Sequence, residues 1–407
     1  MQFIKHGAII PLAGGFSLGA SKILNELPSV IFSWKPFYNN DKLYLRYLQK
    51  HNYNVPYYQI DDENINIDEI TEQYKNKIHI FCGIPPCSGL SQAAQRKAGT
   101  RGSAPPNDWM YKSAEFILNN LQPIVYSFEN APTLFTNSGN DVRNKLIDIA
   151  RKHGYSITFY KTNTLKHGIP QFRPRTFGIF YKGDYAPILS YYDKPYLKFK
   201  DYLSQIPKEA KHQNEYVHNE VDITKYEIYK FLKIKHGEKW REELNNFKPH
   251  LTTYEYLKRR DWLVEFLEWQ KSLPENERSL IVTKNVEHIL KKAAEGKNSR
   301  INYRVLEVDK DYTYAIIGEV MGKEIHPVED RIMNVREYMH MMGLPHDYEL
   351  ESPKEYVKIT QNIPVCTGED ITNEIVEIIK GNREFYKDSV LMQDNTKKYN
   401  HKHKSLF

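Results

Sequence analysis

Short apolar runs alternate with longer stretches of mixed polarity along roughly the first 185 residues. Six runs, at 8–10, 29–32, 78–82, 124–128, 156–160 and 176–181, have the length and the β-branched or aromatic content of strands. Between them, residues 108–120 set Met110, Ala114, Ile117 and Leu118 at helical spacing. Val142, Leu146, Ile149 and Ala150 repeat that pattern before His153-Gly154 ends it. Strand and helix in alternation predict an α/β fold, with βαβ units around a mostly parallel sheet.

Beyond residue 190 the texture changes. Residues 191–325 are Lys- and Glu-rich with aromatics interspersed, which predicts a separate or inserted smaller unit. Within it, residues 253–273 carry Tyr254, Leu257, Leu263, Phe266, Leu267 and Trp269 on a broad apolar surface and predict one helix. A second helical pattern at 334–342 runs into Gly343-Leu344-Pro345, and residues 371–379 predict a closing helix. Residues 386–407 end in a Lys/His-rich basic stretch and read as a solvated tail.

Composition narrows the classes. A chain of 407 residues with 40% hydrophobic and 13% aromatic residues can bury a sizeable core in two or three domains, which excludes mini-proteins and wholesale disorder. The formal charge of +6 permits a polyanionic partner without requiring one. Cys82, Cys87 and Cys366 are too few for a disulfide framework, and no His/Cys spacing suits zinc; reduced thiols in a cytoplasmic setting, without metal, are expected. The N-terminal residues lack a signal-peptide layout and no run approaches about 18 apolar residues, so neither export nor a membrane span is expected. Abundant Lys, Asn, Ile and Tyr fit an AT-rich microbial or phage genome.

Three segments carry candidate chemistry. In 81–91, an apolar strand empties into Gly83-Ile84-Pro85-Pro86-Cys87-Ser88-Gly89. Loops at the carboxyl ends of strands form the crevice of an open α/β sheet, and prolines limit how far a thiol there can wander, so Cys87 is a candidate nucleophile. Cys82, inside the strand, reads as structural. In Phe128-Glu129-Asn130-Ala131-Pro132 a carboxyl again sits at a strand end. Such a group is costly unless paired, solvated or protonated, and a protonated one can donate to a ring nitrogen. Glu129 is thus an acid candidate, and the Asn130 amide could anchor the loop. In Gln171-Phe172-Arg173-Pro174-Arg175, an extended backbone would project Gln171, Arg173 and Arg175 to one side. The paired guanidiniums could hold the Glu129 carboxyl, a phosphate or a base edge.

In this order the three segments resemble the Pro-Cys, Glu-Asn and Gln-x-Arg-x-Arg motifs of the DNA cytosine-5 methyltransferases. Residues 326–345 are similar to that family's Arg-Glu helix and Gly-x-Pro ending, and Gln361-Asn362-Ile363-Pro364-Val365 to its Gly-Asn-Ser-Val segment. The cofactor end departs from the pattern. Where the family has Phe-x-Gly-x-Gly-Gly the chain reads Ile10-Pro11-Leu12-Ala13-Gly14-Gly15-Phe16, and Ser33-Trp34-Lys35 stands in place of the acid expected after the second strand.

The resemblance implies a Rossmann-like methyltransferase domain at 1–190, a target recognition domain at 191–325, a return to the catalytic domain at 326–385 and a basic tail at 386–407. It implies transfer of a methyl group from S-adenosylmethionine to carbon 5 of a flipped-out cytosine in double-stranded DNA, by a chain acting as a monomer. Cys87, Glu129, Arg173 and Arg175 would be catalytic. Gly14, Gly15, Phe16, Trp34, Asp61 or Asp62, Pro86 and Asn362 would hold the cofactor, with Trp34 against the adenine. Ser88, Gln95, Arg96, Arg101, Gln171 and Arg260 would meet DNA. A catalytically weak DNA-binding relative and an RNA cytosine-5 methyltransferase remain alternatives, and the role in restriction-modification, anti-restriction or regulation stays open.

Overall fold

In a computed structural model of the chain, the structure describes residues 3–86, 89–90, 105–219, 221–225, 227–246, 251–252, 257–278, 288, 291–292, 294–295, 305–306, 311–318, 321–322 and 324–396. Two compact units result: Met1–Tyr196 joined by Met341–Phe407, and the intervening Leu197–His340.

The first unit is built on an eight-stranded sheet. Its strands are β1 (His6–Ile9), β2 (Ile31–Ser33), β3 (Tyr57–Gln59), β4 (Ile80–Gly83), β5 (Val125–Asn130), β6 (Tyr155–Asn163), β7 (Pro174–Lys182) and β8 (Val390–Asp394). They lie side by side as β8-β6-β7-β5-β4-β1-β2-β3. Every neighbouring pair is parallel except those of β7, which runs antiparallel to both β5 and β6. All residues of β1, β4 and β5 are buried, which is why these strands read as unbroken apolar runs rather than alternating ones. Tyr126 and Phe180, paired across β5 and β7, stack with ring centroids 5.5 Å apart.

The helices are α1 (Gly15–Leu24), α2 (Tyr38–Lys50), α3 (Ile67–Tyr74), α4 (Asp108–Phe116), α5 (Asn140–Lys152) and α6 (Val365–Ile379). From β1 the chain winds outward to β2 and β3, then crosses back to place β4 on the other flank of β1. That reversal opens a crevice beyond the carboxyl ends of β1 and β4, the ordinary ligand position in such sheets.

α6 returns from the far end of the sequence to pack on α1, and glycine makes the approach possible. A Cβ on Gly19 would lie 2.5 Å from the Glu369 nitrogen and 2.6 Å from the Gly368 carbonyl carbon, both backbone. Ile371, Ile375 and Ile378 of α6 then join the core formed by Phe16, Phe32, Phe81, Tyr126 and Phe180.

The strands expected at 8–10, 29–32, 78–82, 124–128, 156–160 and 176–181 all overlap observed ones. Three expectations need correction. The closing helix begins at Val365 rather than 371. Residues 386–407 are not wholly a tail, since Val390–Asp394 pairs in parallel with β6, where the exposed edge of a nine-residue strand would otherwise lack hydrogen-bond partners. The single helix expected at 253–273 is broken: Asp261 takes φ 58°, the Trp262 amide closes back on the Leu257 carbonyl at 2.9 Å, and a new helix runs only over Leu263–Ser272. Residues 253–256 lie outside the described residues.

The second unit has its own core, in which Ile228, Phe231 and Leu232 of the helix Glu227–His236 meet Trp240, Leu263, Phe266 and Leu267. This unit runs to His340 and so includes residues 326–340, which the family resemblance placed with the C-terminal return. There Asn334 and Glu337 form a capping box, each side chain accepting from the other's backbone amide, at 2.9 and 2.8 Å. Arg331 donates to the same Glu337 carboxylate at 2.6 Å.

Gly19→Ala should cost about 3 kcal/mol, the upper end of overpacking penalties, because only backbone faces the added methyl. Lys22→Ala, removing a largely exposed ion pair on the same helix, should cost under about 1 kcal/mol. Urea unfolding of both variants measures the contrast, and equal losses would exclude the helix approach described here.

Candidate active site

The chain leaves β1 through a turn that its sequence makes expensive. Ile10, Leu12 and Gly14 take φ of 49°, 55° and 83°. Glycine adopts this left-handed region freely, whereas a bulky L-residue pays about 1–2 kcal/mol, and a β-branched one is a genuine outlier.

Contacts from both sides hold the turn. The Leu12 amide donates to Asp41 Oδ1 of α2 at 3.0 Å, and the same carboxyl takes the Ser33 hydroxyl at 2.5 Å and the Tyr57 hydroxyl at 3.2 Å. From the C-terminal segment, the Tyr348 hydroxyl donates to the Ala13 carbonyl at 3.0 Å. Gly14 lies so close to the Tyr44 ring that a Cβ would come within 2.3 Å of it, and a Cβ on Gly15 would fall 2.1 Å from the Ile363 carbonyl. Burial raises the Asp41 carboxyl from its ordinary 3.8 to about 7, outweighing the three donors that pull it down.

Two observations test whether these residues suit a polar cofactor. α1 begins at the turn with no side chain capping its N-terminus and no acid in its first turn. Asn362 lies beneath Gly15 with its Nδ2 buried and lacking a hydrogen-bond partner among the described residues, while its Oδ1 accepts from the Ile363 amide at 2.9 Å. Uncapped helix amides and a spare amide donor suit a ligand with a carboxylate, as the methionine portion of S-adenosylmethionine has. Phe16 is buried within α1, its ring edge-on to Phe177 at 5.7 Å. Trp34, at the end of β2, packs against Trp109 at 5.4 Å and Phe116 at 6.4 Å. The Asp61 carboxylate is occupied by the Lys35 amide at 2.8 Å, and Asp62 caps Asn64 at 3.0 Å.

The second half of the site lies at the ends of β4 and β5. Cys87 and Ser88 lie outside the described residues, but Pro85 just before them is held: Asn130 Nδ2 donates to the Pro85 carbonyl at 3.3 Å, and Asn130 Oδ1 takes the Ala131 amide at 2.9 Å. One residue earlier on β5, the buried Glu129 carboxyl meets Arg175 Nε of β7 at 2.5 Å. Burial pushes the Glu129 carboxyl above the ordinary range, and the pull of Arg175 and Arg173 only partly offsets it.

The two arginines separate in role. Arg175 holds Glu129, whereas Arg173, 1% exposed, donates through Nη2 to the carbonyls of Thr360 at 2.6 Å and Asn362 at 2.8 Å. Arg173 therefore positions the segment that carries Asn362. The alternation expected of 171–175 is observed, with Gln171 and Arg173 buried and Phe172 exposed. Gln171, expected to meet DNA, is fully buried, and its amide faces the Met341 carbonyl at 3.4 Å.

Gln95, Arg96 and Arg101 lie outside the described residues. Arg260, in the second unit, rests over the Trp262 ring at 5.6 Å with Glu243 at 3.9 Å. Sequence reasoning missed Asp41 and Tyr348. A signal for Asp41 was present: with Tyr44 and Leu48 three and seven positions on, it shares the buried stripe of α2, where an acid needs partners.

A doubly wound sheet with one antiparallel strand beside β6, a turn ending in Gly14-Gly15 at its switch point and buried polar groups beyond β4 and β5 together define a Rossmann-like methyltransferase. The chain belongs to the C-5 cytosine-specific DNA methylase family, whose sequence profile matches residues 11–377. It is 26% identical over 168 residues to the type II methyltransferase M1.HphI of Haemophilus parahaemolyticus, an alignment covering 40% of this chain and 42% of that relative's length. Its fold is similar to that of a prophage-encoded DNA modification methyltransferase from E. coli, with a TM-score of 0.55, 16% identity and coverage of 93% and 99% of the two chains. The Entamoeba histolytica methyltransferase EhMeth shares the fold at a TM-score of 0.52 and 11% identity, with coverage of 93% and 99%. Among the described residues no helix is long and apolar enough to cross a membrane, and no cluster of His, Cys, Asp and Glu could hold a metal ion.

A carboxyl whose pKa rises on folding stabilises the native state at low pH, and that contribution is lost as pH climbs through the folded value. For Asp41 the window runs from 3.8 to about 7. The stability of the parent protein relative to Asp41→Asn should therefore decline across that window and level off above it, as read from urea midpoints at successive pH values. Parallel curves would contradict the burial assigned to this carboxyl.

Proposed function

We propose that the chain transfers a methyl group from S-adenosylmethionine to carbon 5 of a cytosine rotated out of double-stranded DNA. The observation that carries this reading is the junction of β4 and β5, where the proline loop leading into Cys87 is tied to Asn130 beside a buried Glu129 paired with Arg175. Family membership supports the same chemistry.

Carbon 5 of cytosine is a weak nucleophile. The Cys87 thiolate adds to carbon 6, forming an S–C bond while the ring electrons shift toward carbon 5 and nitrogen 3. Glu129, whose protonated form burial favours, donates to nitrogen 3 and prevents negative charge from accumulating on the ring. Arg175 fixes the direction of that carboxyl. The Gly14-Gly15 turn, the N-terminus of α1 and Asn362 would hold S-adenosylmethionine, which would supply the methyl group as an electrophile. After alkylation the carbon 5 proton passes to solvent, the S–C bond breaks and Cys87 is released as the thiolate.

Both faces of a stacked base are covered, so the target is extruded at a cost of a few kcal/mol, offset by contacts within the site. Ser88, Gln95, Arg96 and Arg101, in and after the Cys87 loop, meet the DNA backbone at the opened position. The unit between Tyr196 and Met341 reads the target sequence as a recognition domain, with Arg260 among its contacts. The type II relative supports a restriction-modification setting.

Cys87→Ser should abolish methyl transfer while leaving thermal unfolding within about 1 kcal/mol of the parent. The parent should form a covalent complex with a 5-fluorocytosine duplex and the variant should not; an active variant removes the nucleophile. Duplex DNA and RNA run side by side identify the acceptor, and methylation confined to RNA would overturn the DNA assignment.

The raised Glu129 pKa makes a pH prediction. The carboxyl must be protonated to donate, so kcat should fall as pH rises through its folded value, and Glu129→Gln should lose at least about tenfold in kcat together with that descending limb. A Gln variant with the parent's pH profile would exclude the role.

A further inference from the structure

We propose that Asp41 is a positioning residue for the cofactor turn, a buried carboxyl that keeps Leu12 left-handed where the backbone would otherwise relax. The inference rests on reading that turn as the cofactor site. Leu12 stands at φ 55° and its amide is bound to Asp41 Oδ1 at 3.0 Å. Relaxing Leu12 to negative φ would swing that amide away and leave an acceptor on a fully buried carboxyl unpaired. The carboxyl is itself fixed in place. Ser33 at the end of β2 holds its second oxygen at 2.5 Å, and Tyr57 on β3 approaches the same oxygen at 3.2 Å. One side chain from α2 thus binds the turn after β1 to the end of β2 and the start of β3. No other residue donates to or accepts from this carboxyl among the described residues.

The clamp does not depend on charge. As a carboxylate, Asp41 accepts from all three donors. Protonated on the oxygen facing Ser33, it donates to that hydroxyl and still accepts from the Leu12 amide. Asparagine reproduces this second arrangement, with its carbonyl toward Leu12 and its NH2 toward Ser33; alanine reproduces neither. A glycine at position 12 needs no clamp, because φ near 55° costs it nothing.

S-adenosylmethionine affinity, measured by calorimetry on the full chain, tests the proposal. Asp41→Asn should stay within about threefold of the parent, and Asp41→Ala should weaken binding by about tenfold or more, the equivalent of 1.4 kcal/mol. The double variant Asp41→Ala with Leu12→Gly should recover most of that loss. A purely structural role for Asp41 gives an equal loss with Leu or Gly at position 12, and that result overturns the proposal. If Asp41→Ala does not fold, folding and binding by the double variant are the expected rescue, and failure of both overturns it. If the parent itself does not bind S-adenosylmethionine, the cofactor reading fails. The clamp is then decided by hydrogen exchange at Leu12: protection in the parent and Asp41→Asn but not in Asp41→Ala supports it, and equal exchange in all three overturns it.

Discussion

Two helices from opposite ends of the sequence meet backbone to backbone, and the site depends on that contact. With Gly19 against Gly368, α1 and α6 approach more closely than any side chain would allow. The same approach brings Asn362 and Ile363 under Gly15 and the Tyr348 hydroxyl onto the Ala13 carbonyl. A glycine turn built only from N-terminal residues would have to find its own stability. Here the turn is compressed between α2 on one side and the C-terminal segment on the other, so left-handed Ile10 and Leu12 persist without the glycines that usually permit them.

Buried and half-buried polar pairs on α6 and the segment before it tie them to the rest of the sheet unit. Arg173 grips the carbonyls of Thr360 and Asn362. His167 reaches Asp370 of α6 at 2.8 Å and Thr162 of β6 at 2.7 Å, and Lys194 closes on the other Asp370 oxygen at 2.5 Å. Arg383 pairs with Glu374 at 2.8 Å. Removing one member of such a set leaves its partner desolvated and unpaired, so these contacts define one docking position for α6 more than they add to total stability. Asp41 and Glu129 belong to the same economy of buried charge with opposite emphasis. Asp41 is satisfied entirely by neutral donors, whereas Glu129 faces an arginine and the end of the crevice.

Much of the fold was legible because burial on both faces of a parallel sheet writes itself as unbroken apolar runs, and those runs located the main strands. The Glu129 carboxyl, which Arg175 holds, was one of three partners that the sequence left open for the paired guanidiniums, beside a phosphate and a base edge. Three features were not legible. β8 escapes notice because its apolar run is only Val390-Leu391-Met392, in a polar stretch, and an edge strand buries little and needs only backbone partners. The break at Asp261 escapes a periodicity reading because one left-handed residue barely disturbs the apolar pattern on either side. The part played by Asp41 is invisible locally because each of its partners, Leu12, Ser33 and Tyr57, comes from a different element. Arg173 and Gln171 share one motif and are both buried, a placement that spacing alone does not give.

Completion of the sheet and of α1's packing by residues beyond Met341 also bears on how the protein matures during translation. A ribosome delivers β1 through β7 and the whole intervening unit before α6 and β8 exist, so the glycine face of α1 and the outer edge of β6 wait uncovered while more than 180 residues emerge. The intervening unit, with a core of its own, has the means to fold during that interval, whereas the methyltransferase sheet can close only after the C-terminal segment leaves the exit tunnel.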